Sequence, residues 1–340
     1  MTYNNLGLVH RDLGDLEQAK EYYDRARVIY LEKLGPEHVD VATTYNNLGL
    51  VHIDLRDLEQ AKEYHDRALA IRLKKLGPEH VDVASTYNNL GVVHMADQLG
   101  DLEQAKEYHD RALAIRLKKL GPEHVDVAST YNNLGVVHMA DQLGDLEQAK
   151  EYFDRARVIY LKKLGPEHVD VASTYNNLGL VHMDLGDLEQ AKEYHGRALA
   201  IRLKKLGPEH FDVAMSYNNL GLVHRALGDL EQAKEYFDRA RVIYLKNLGP
   251  EHVDVASTYN NLGLVHMDLG DLEQAKEYHD RALAICLEKL GPEHVDVAST
   301  YNNLGIVHRN LGNLEQAKEY YDRALAIFLK SSDLSMFMSQ

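Results

Sequence analysis

The chain has 340 residues, 45% of them hydrophobic, and carries 53 acidic against 38 basic side chains for a formal net charge of −15. Such an acidic surface repels a phosphate backbone, which excludes nucleic acid as an expected partner, and no apolar run approaches the roughly 18 residues of a membrane span. One cysteine, Cys286, excludes an internal disulfide framework, and with no basic or apolar leader the chain reads as cytoplasmic.

The predicted elements recur along the chain. Tyr-Asn-Asn-Leu-Gly starts at Tyr3, Tyr45, Tyr87, Tyr131, Tyr175, Tyr217, Tyr259 and Tyr301, at spacings of 42, 42, 44, 44, 42, 42 and 42 residues. A fixed period of this size defines a solenoid, in which each unit buries its apolar faces only against its neighbours. Equivalent positions of successive units then build one long surface, and no single closed core is available for a catalytic pocket. The expected activity is binding, not catalysis.

Each period opens with a first helix that starts near Asp-Val-Ala-Ser-Thr. In the third period Tyr87, Leu90, Gly91 and His94 fall at i, i+3, i+4 and i+7, one helical face. Glycine inside a helix costs about 1 kcal/mol against alanine, so its recurrence predicts two helices too close together for a Cβ. The second helix begins at Asp-Leu-Glu-Gln, where Asp57 suits an N-cap and Gln60 has capping-box spacing. Its alanines, such as Ala61 and Ala68, again predict close contact. All seven prolines lie in Leu-Gly-Pro-Glu-His, a strong stop signal. No strand alternation appears, and the chain is predicted to be all α.

An aromatic residue followed by Leu-Gly, with alanines in the second helix, resembles the tetratricopeptide repeat. The longer period, Asn-Asn-Leu, Leu-Gly-Pro-Glu-His and Asp-Val-Ala are similar to the kinesin light chain and nephrocystin-like subclass, which also occurs in the sensor arrays of nucleotide-binding immune receptors. The resemblance implies a right-handed superhelical solenoid of eight helix-turn-helix repeats over residues 1–330, the first truncated at its start, with a tail at 331–340. It also implies a protein-interaction scaffold that binds extended peptides in a concave groove lined by first helices. A sensor array of a signalling or immune NTPase and a motor cargo adaptor are the alternative readings. The sequence departs from the subclass in lacking a heptad coiled coil, in reading His-Val-Asp where the loop often reads His-Pro-Asp, and in lacking the basic pair of the chaperone-tail carboxylate clamp.

On the first helix of the third period, Ser85, Asn88, Val92 and Met95 share a stripe well away from Tyr87 and Leu90. If that stripe faces the groove, the first asparagines form a ladder that includes Asn46, Asn88, Asn132, Asn176, Asn218 and Asn260. An amide both donates and accepts, which suits the backbone of an extended peptide; the other reading is that these amides bond to one another along the solenoid. The second asparagine, such as Asn89, is read as structural. The last stripe position carries Met95, Met139 and Met183 in the middle with arginines such as Arg225 towards the ends, which predicts an adaptable apolar contact with charge beside it.

Further variation is coupled across seven residues of the second helix. Tyr23 occurs with Tyr30, Phe153 with Tyr160, Phe237 with Tyr244 and Tyr321 with Phe328, whereas His65 occurs with Arg72, His109 with Arg116, His195 with Arg202 and His279 with Cys286. One helical face holds both members, which predicts two kinds of inter-repeat packing. None of the 19 histidines has a second His or Cys at short metal-ligand spacing, so they are read as structural; no metal, cofactor or catalytic residue is expected. Two extra residues in the periods at His94–Gly100 and His138–Gly144 are expected to lengthen the first helix by half a turn or to bulge at the groove rim. Both terminal repeats lack capping sequences, so end-to-end self-association is a further expectation.

Overall fold

Each period folds into two helices because its punctuation is strong at both ends. The computed structural model describes residues 2–96, 101–140 and 145–338. Among them are sixteen helices and no strand. The odd-numbered helices are α1 Thr2–Asp12, α3 Val39–Asp54, α5 Val81–Ala96, α7 Val125–Ala140, α9 Val169–Asp184, α11 Phe211–Ala226, α13 Val253–Asp268 and α15 Val295–Asn310. The even-numbered helices are α2 Leu16–Leu34, α4 Leu58–Leu76, α6 Leu102–Leu120, α8 Leu146–Leu164, α10 Leu188–Leu206, α12 Leu230–Leu248, α14 Leu272–Leu290 and α16 Leu314–Met338. The contacts divide the chain into two compact units, Met1–Gly165 with α1–α8 and Pro166–Gln340 with α9–α16.

The even helices begin as their sequence predicts. Asp57 Oδ1 accepts the backbone N–H of Gln60 at 3.3 Å. The reciprocal half of a capping box is missing, because the Gln60 amide donates to Glu63 Oε2 at 2.7 Å instead. Gly77, at φ 83°, ends the helix and donates its N–H to the Leu73 carbonyl. No such stop follows Lys330, and α16 continues through residues 331–338, where the sequence suggested a tail. The odd helices begin on an unexpected cap: His38 Nδ1 accepts the Asp40 N–H at 3.1 Å, and His80, His124, His168, His210, His252 and His294 repeat the contact. Histidine is absent from the favoured N-cap residues, so propensity alone does not reveal it.

Within each unit an odd helix packs on the next even helix, the even helix packs on the following odd one, and successive odd helices touch. The alanines expected at close contacts are fully buried at Ala61, Ala68, Ala105 and Ala112. Tyr45 stacks on Tyr64 with ring centroids 5.9 Å apart, and His52 lies 5.3 Å from the same ring with Nδ1 3.0 Å from Asp57 Oδ2. The exposed surface adds ion pairs from one repeat to the next, such as Lys74 with Glu37 and Lys118 with Glu79; each is worth little by itself. The extra residues of the two longer periods fall at 97–100 and 141–144, outside the described residues.

Candidate functional site

On the odd helices of each unit a set of side chains stays partly exposed. In the first unit the partly exposed positions of α3 include Thr43, Asn47, Leu50 and Ile53, and those of α5 include Ser85, Asn89, Val92 and Met95. In the second unit, α9 presents Ser173, Asn177, Leu180 and Met183, and α13 presents Ser257, Asn261, Leu264 and Met267. Hydroxyl, amide and apolar side chains therefore follow one another along these four helices, whereas α11 has Met215 at the hydroxyl position and a buried Asn219. On α3, α5 and α9 the second asparagine is the more exposed of the pair, on α7 and α13 both are partly exposed, and on α11 the order is reversed, with Asn219 buried and Asn218 partly exposed.

The first asparagines turn along the stack. Asn46, Asn88 and Asn176 retain only 9%, 8% and 6% exposure, while Asn132, Asn218 and Asn260 are half-buried. The amide–amide contacts cross from one repeat to the next. Asn89 Nδ2 donates to Asn46 Oδ1 at 3.1 Å, Asn133 to Asn88 at 3.2 Å, Asn219 to Asn176 at 2.9 Å and Asn261 to Asn218 at 2.9 Å. Asn260 donates to Thr300 Oγ1 at 2.9 Å. The ladder thus uses both asparagines of each pair. In these four contacts the first asparagine accepts and the next repeat's second asparagine donates.

The last stripe position is less free than its sequence suggested. Met95, Met139 and Met183 are partly exposed, but Arg225 Nε donates to Asp268 Oδ2 at 2.6 Å on the next odd helix, as Arg11 does to Asp54. These arginines bind repeats together because the long side chain reaches one helix over to an acidic residue at its end.

Beneath these side chains lies the arginine of each His/Arg pair. Arg72 Nη1 donates to the Asp82 carbonyl at 2.9 Å and to Thr86 Oγ1 at 2.7 Å, both in the next repeat. Arg116 does the same to Asp126 and Thr130, and Arg202 to Asp212 and Ser216. Arg116 Nη2 also lies 3.5 Å from Ser85 Oγ on α5. The coupled variation seen in the sequence is therefore a choice of inter-repeat contact. Where tyrosine replaces arginine, Tyr244 packs against Phe211 with centroids 5.2 Å apart, and burial pushes its phenol pKa up.

Among the described residues, no group of three or more His, Cys, Asp or Glu is placed to hold a metal ion, and no helix is long and apolar enough to cross a membrane. Cys286 is buried, and burial pushes its thiol up to about 11.

Helical hairpins of one recurring form, each packed on the next within its unit, define an α-solenoid repeat protein. The chain belongs to the tetratricopeptide repeat family: that family description matches residues 1–74, 40–98, 82–162, 139–204, 170–246, 212–266 and 254–330. No curated protein matches the chain in sequence. Solved structures that resemble it include BtubC (BKLC) of P. vanneervenii, at 26% identity over 68% of this chain and 92% of that one, with a TM-score of 0.58. A putative kinesin light chain of P. anserina with nearly identical repeats is 23% identical over 62% of this chain and 98% of that one, TM-score 0.52. A Rap conjugation regulator of plasmid pLS20, solved with the Phr* peptide, is 17% identical over 87% of this chain and 76% of that one, TM-score 0.63. Arrays of this family are typically protein-interaction scaffolds, and the kinesin light chain-like likeness agrees with the period and loop sequence.

Proposed function

We propose that the chain is a non-catalytic cytoplasmic scaffold that holds extended protein segments along the partly exposed face of the odd helices within each unit. The observation that carries this reading is the repetition of hydroxyl, amide and apolar positions at one period on adjacent helices. An extended chain needs backbone hydrogen-bond partners at regular intervals and shallow apolar contacts for alternate side chains. The amide pairs around Asn46, Asn88, Asn132, Asn176, Asn218 and Asn260 offer the first, and Leu50, Val92 and Leu180 with Met95, Met139 and Met183 offer the second. A hydrogen bond nets about 0.5–1.5 kcal/mol, so several in series on a pre-ordered surface reach useful affinity without a deep pocket. Arg225 contributes here through its bridge to Asp268, which holds the α11 and α13 ends of the surface together.

The test is selection of extended peptides from a displayed library on the intact chain, followed by fluorescence binding. Met95→Ala/Met139→Ala and Asn89→Ala/Asn133→Ala, checked as folded by circular dichroism, are expected to lose most affinity. The control Lys106→Ala/Lys150→Ala on the even helices is expected to retain it. Equal affinity in all three variants rejects the odd-helix face as the binding surface.

A further inference from the structure

We propose that the hairpins α3/α4, α5/α6, α9/α10 and α13/α14 are an acid-sensitive element of the solenoid, opened by protonation of His65, His109, His195 and His279, while hairpins with a carbocyclic ring at the same place stay closed.

The four imidazoles are fully buried. Each presses on the glycine of its partner helix so closely that a Cβ on Gly49, Gly91, Gly179 or Gly263 would lie 2.6 Å from the ring. Among the described residues, neither ring nitrogen of His65, His109 or His195 has a hydrogen-bond partner. His279 has one, between Nδ1 and Asn260 Oδ1 at 2.9 Å, and its Nε2 has none. Each ring thus keeps at least one nitrogen without a hydrogen-bond partner among the described residues.

The surrounding charge opposes protonation as well. The charged group acting on His65 is Arg72, seven residues on in α4; Arg116 plays that part for His109 and Arg202 for His195. These guanidiniums are 3–6% exposed and hydrogen-bond to neutral oxygens, with no carboxylate ion pair among the described residues. His279 differs, since Asp280 favours its protonation and Arg225 opposes it, the two being outweighed by burial. Adding a proton thus places a cation in a sealed contact, in three hairpins beside a second buried cation, and the hairpin must open before water can reach it.

Burial first, then the guanidinium, pushes His65 down to about 3 and His109 and His195 to about 4; burial brings His279 to about 4 as well. An opened hairpin returns each ring to its ordinary value of 6.5. The closed state binds fewer protons, so closure is complete above that value and weakens as the pH falls from about 6.5 towards 4.

Packing does not require histidine here. Phe153 and Phe237 fill the same place against Gly135 and Gly221 at 2.7 and 2.6 Å, and Tyr23 and Tyr321 do so against Gly7 and Gly305. The chain carries its own non-titrating controls.

Hydrogen–deuterium exchange of the intact chain at pH 7.5 and 5.0, read as protection factors, tests the proposal. Protection in α3–α6 and α9/α10 is expected to fall at least about tenfold at pH 5.0 relative to α7/α8 and α11/α12. His109→Phe/Arg116→Tyr, which gives α6 the Phe/Tyr pair of α8, is expected to abolish the fall in α5/α6, and Phe153→His to create one in α7/α8. An equal loss in all hairpins, or a loss in α5/α6 that persists in the rebuilt protein, overturns the proposal. If the rebuilt variant does not fold, the Phe153→His result alone decides.

Discussion

Gly135 and Phe153 are in a contact that leaves no room for a methyl group: a Cβ on Gly135 would stand 2.7 Å from Cε1 of a fully buried ring. Alanine ordinarily gains about 1 kcal/mol over glycine inside a helix, but overpacking a filled core costs about 1–3 kcal/mol. The clash is expected to win. Gly135→Ala should lower stability by about 1–2 kcal/mol in urea melts, and Phe153→Leu in the same protein should recover part of the loss. Additive losses would show that the ring does not meet the new methyl.

Arg56 is the one described non-glycine residue with positive φ, at 61°, in the turn between α3 and α4. The same turn elsewhere uses Gly14, Gly186, Gly228, Gly270 and Gly312 near φ 80°. A side chain in the left-handed region costs about 1–2 kcal/mol, partly offset by the greater freedom glycine has when unfolded. Arg56→Gly is expected to stabilise the chain by about 0.5–1 kcal/mol in thermal melts, and Gly186→Arg to destabilise it by a similar amount.

Arg116 joins α6 to α7 through the Asp126 carbonyl and Thr130, 2.9 and 2.6 Å away. Replacement by leucine removes both bonds while keeping the stem's bulk. Hydrogen bonds from a charged donor are worth roughly 1.5–3 kcal/mol, against which the variant no longer buries a charge. A net loss of about 1–2 kcal/mol is expected, confined by hydrogen exchange to α6 and α7. Loss spread over the whole chain would contradict a local role.

Cys286 is 3% exposed and its thiol is held up near 11 by burial first and Asp296 second. At neutral pH the thiolate fraction is then on the order of 10⁻⁴, and the thiolate is the reactive form. Iodoacetamide is expected to leave the folded chain unmodified over hours and to label it rapidly in guanidinium, as read by mass spectrometry. Fast native labelling would mean that α14 opens readily.

Helix type, helix order and repeat number were legible in the sequence because they depend on signals local to one period. Asp57 and Gly77 cap α4 through atoms a few residues away, and each recurring glycine announces a close approach whatever it meets. The pairing of His65 with Arg72 showed equally that one helical face carries both. What lies opposite that face was not legible: that His65 meets Gly49, and that Arg72 reaches Asp82 and Thr86, are contacts between elements. The asparagine pair shows the limit most clearly. Asn88 and Asn89 lie about 100° apart on one helix, and periodicity placed the stripe on the first. Only the packing of α3, α5 and α7 side by side decided that Asn89 turns to Asn46 and that Asn88 accepts from Asn133. The sequence by itself determined the repeating hairpin, because capping and turn chemistry are short-range; the tertiary structure decided which polar groups join one repeat to the next, because that depends on the neighbour each helix is laid against.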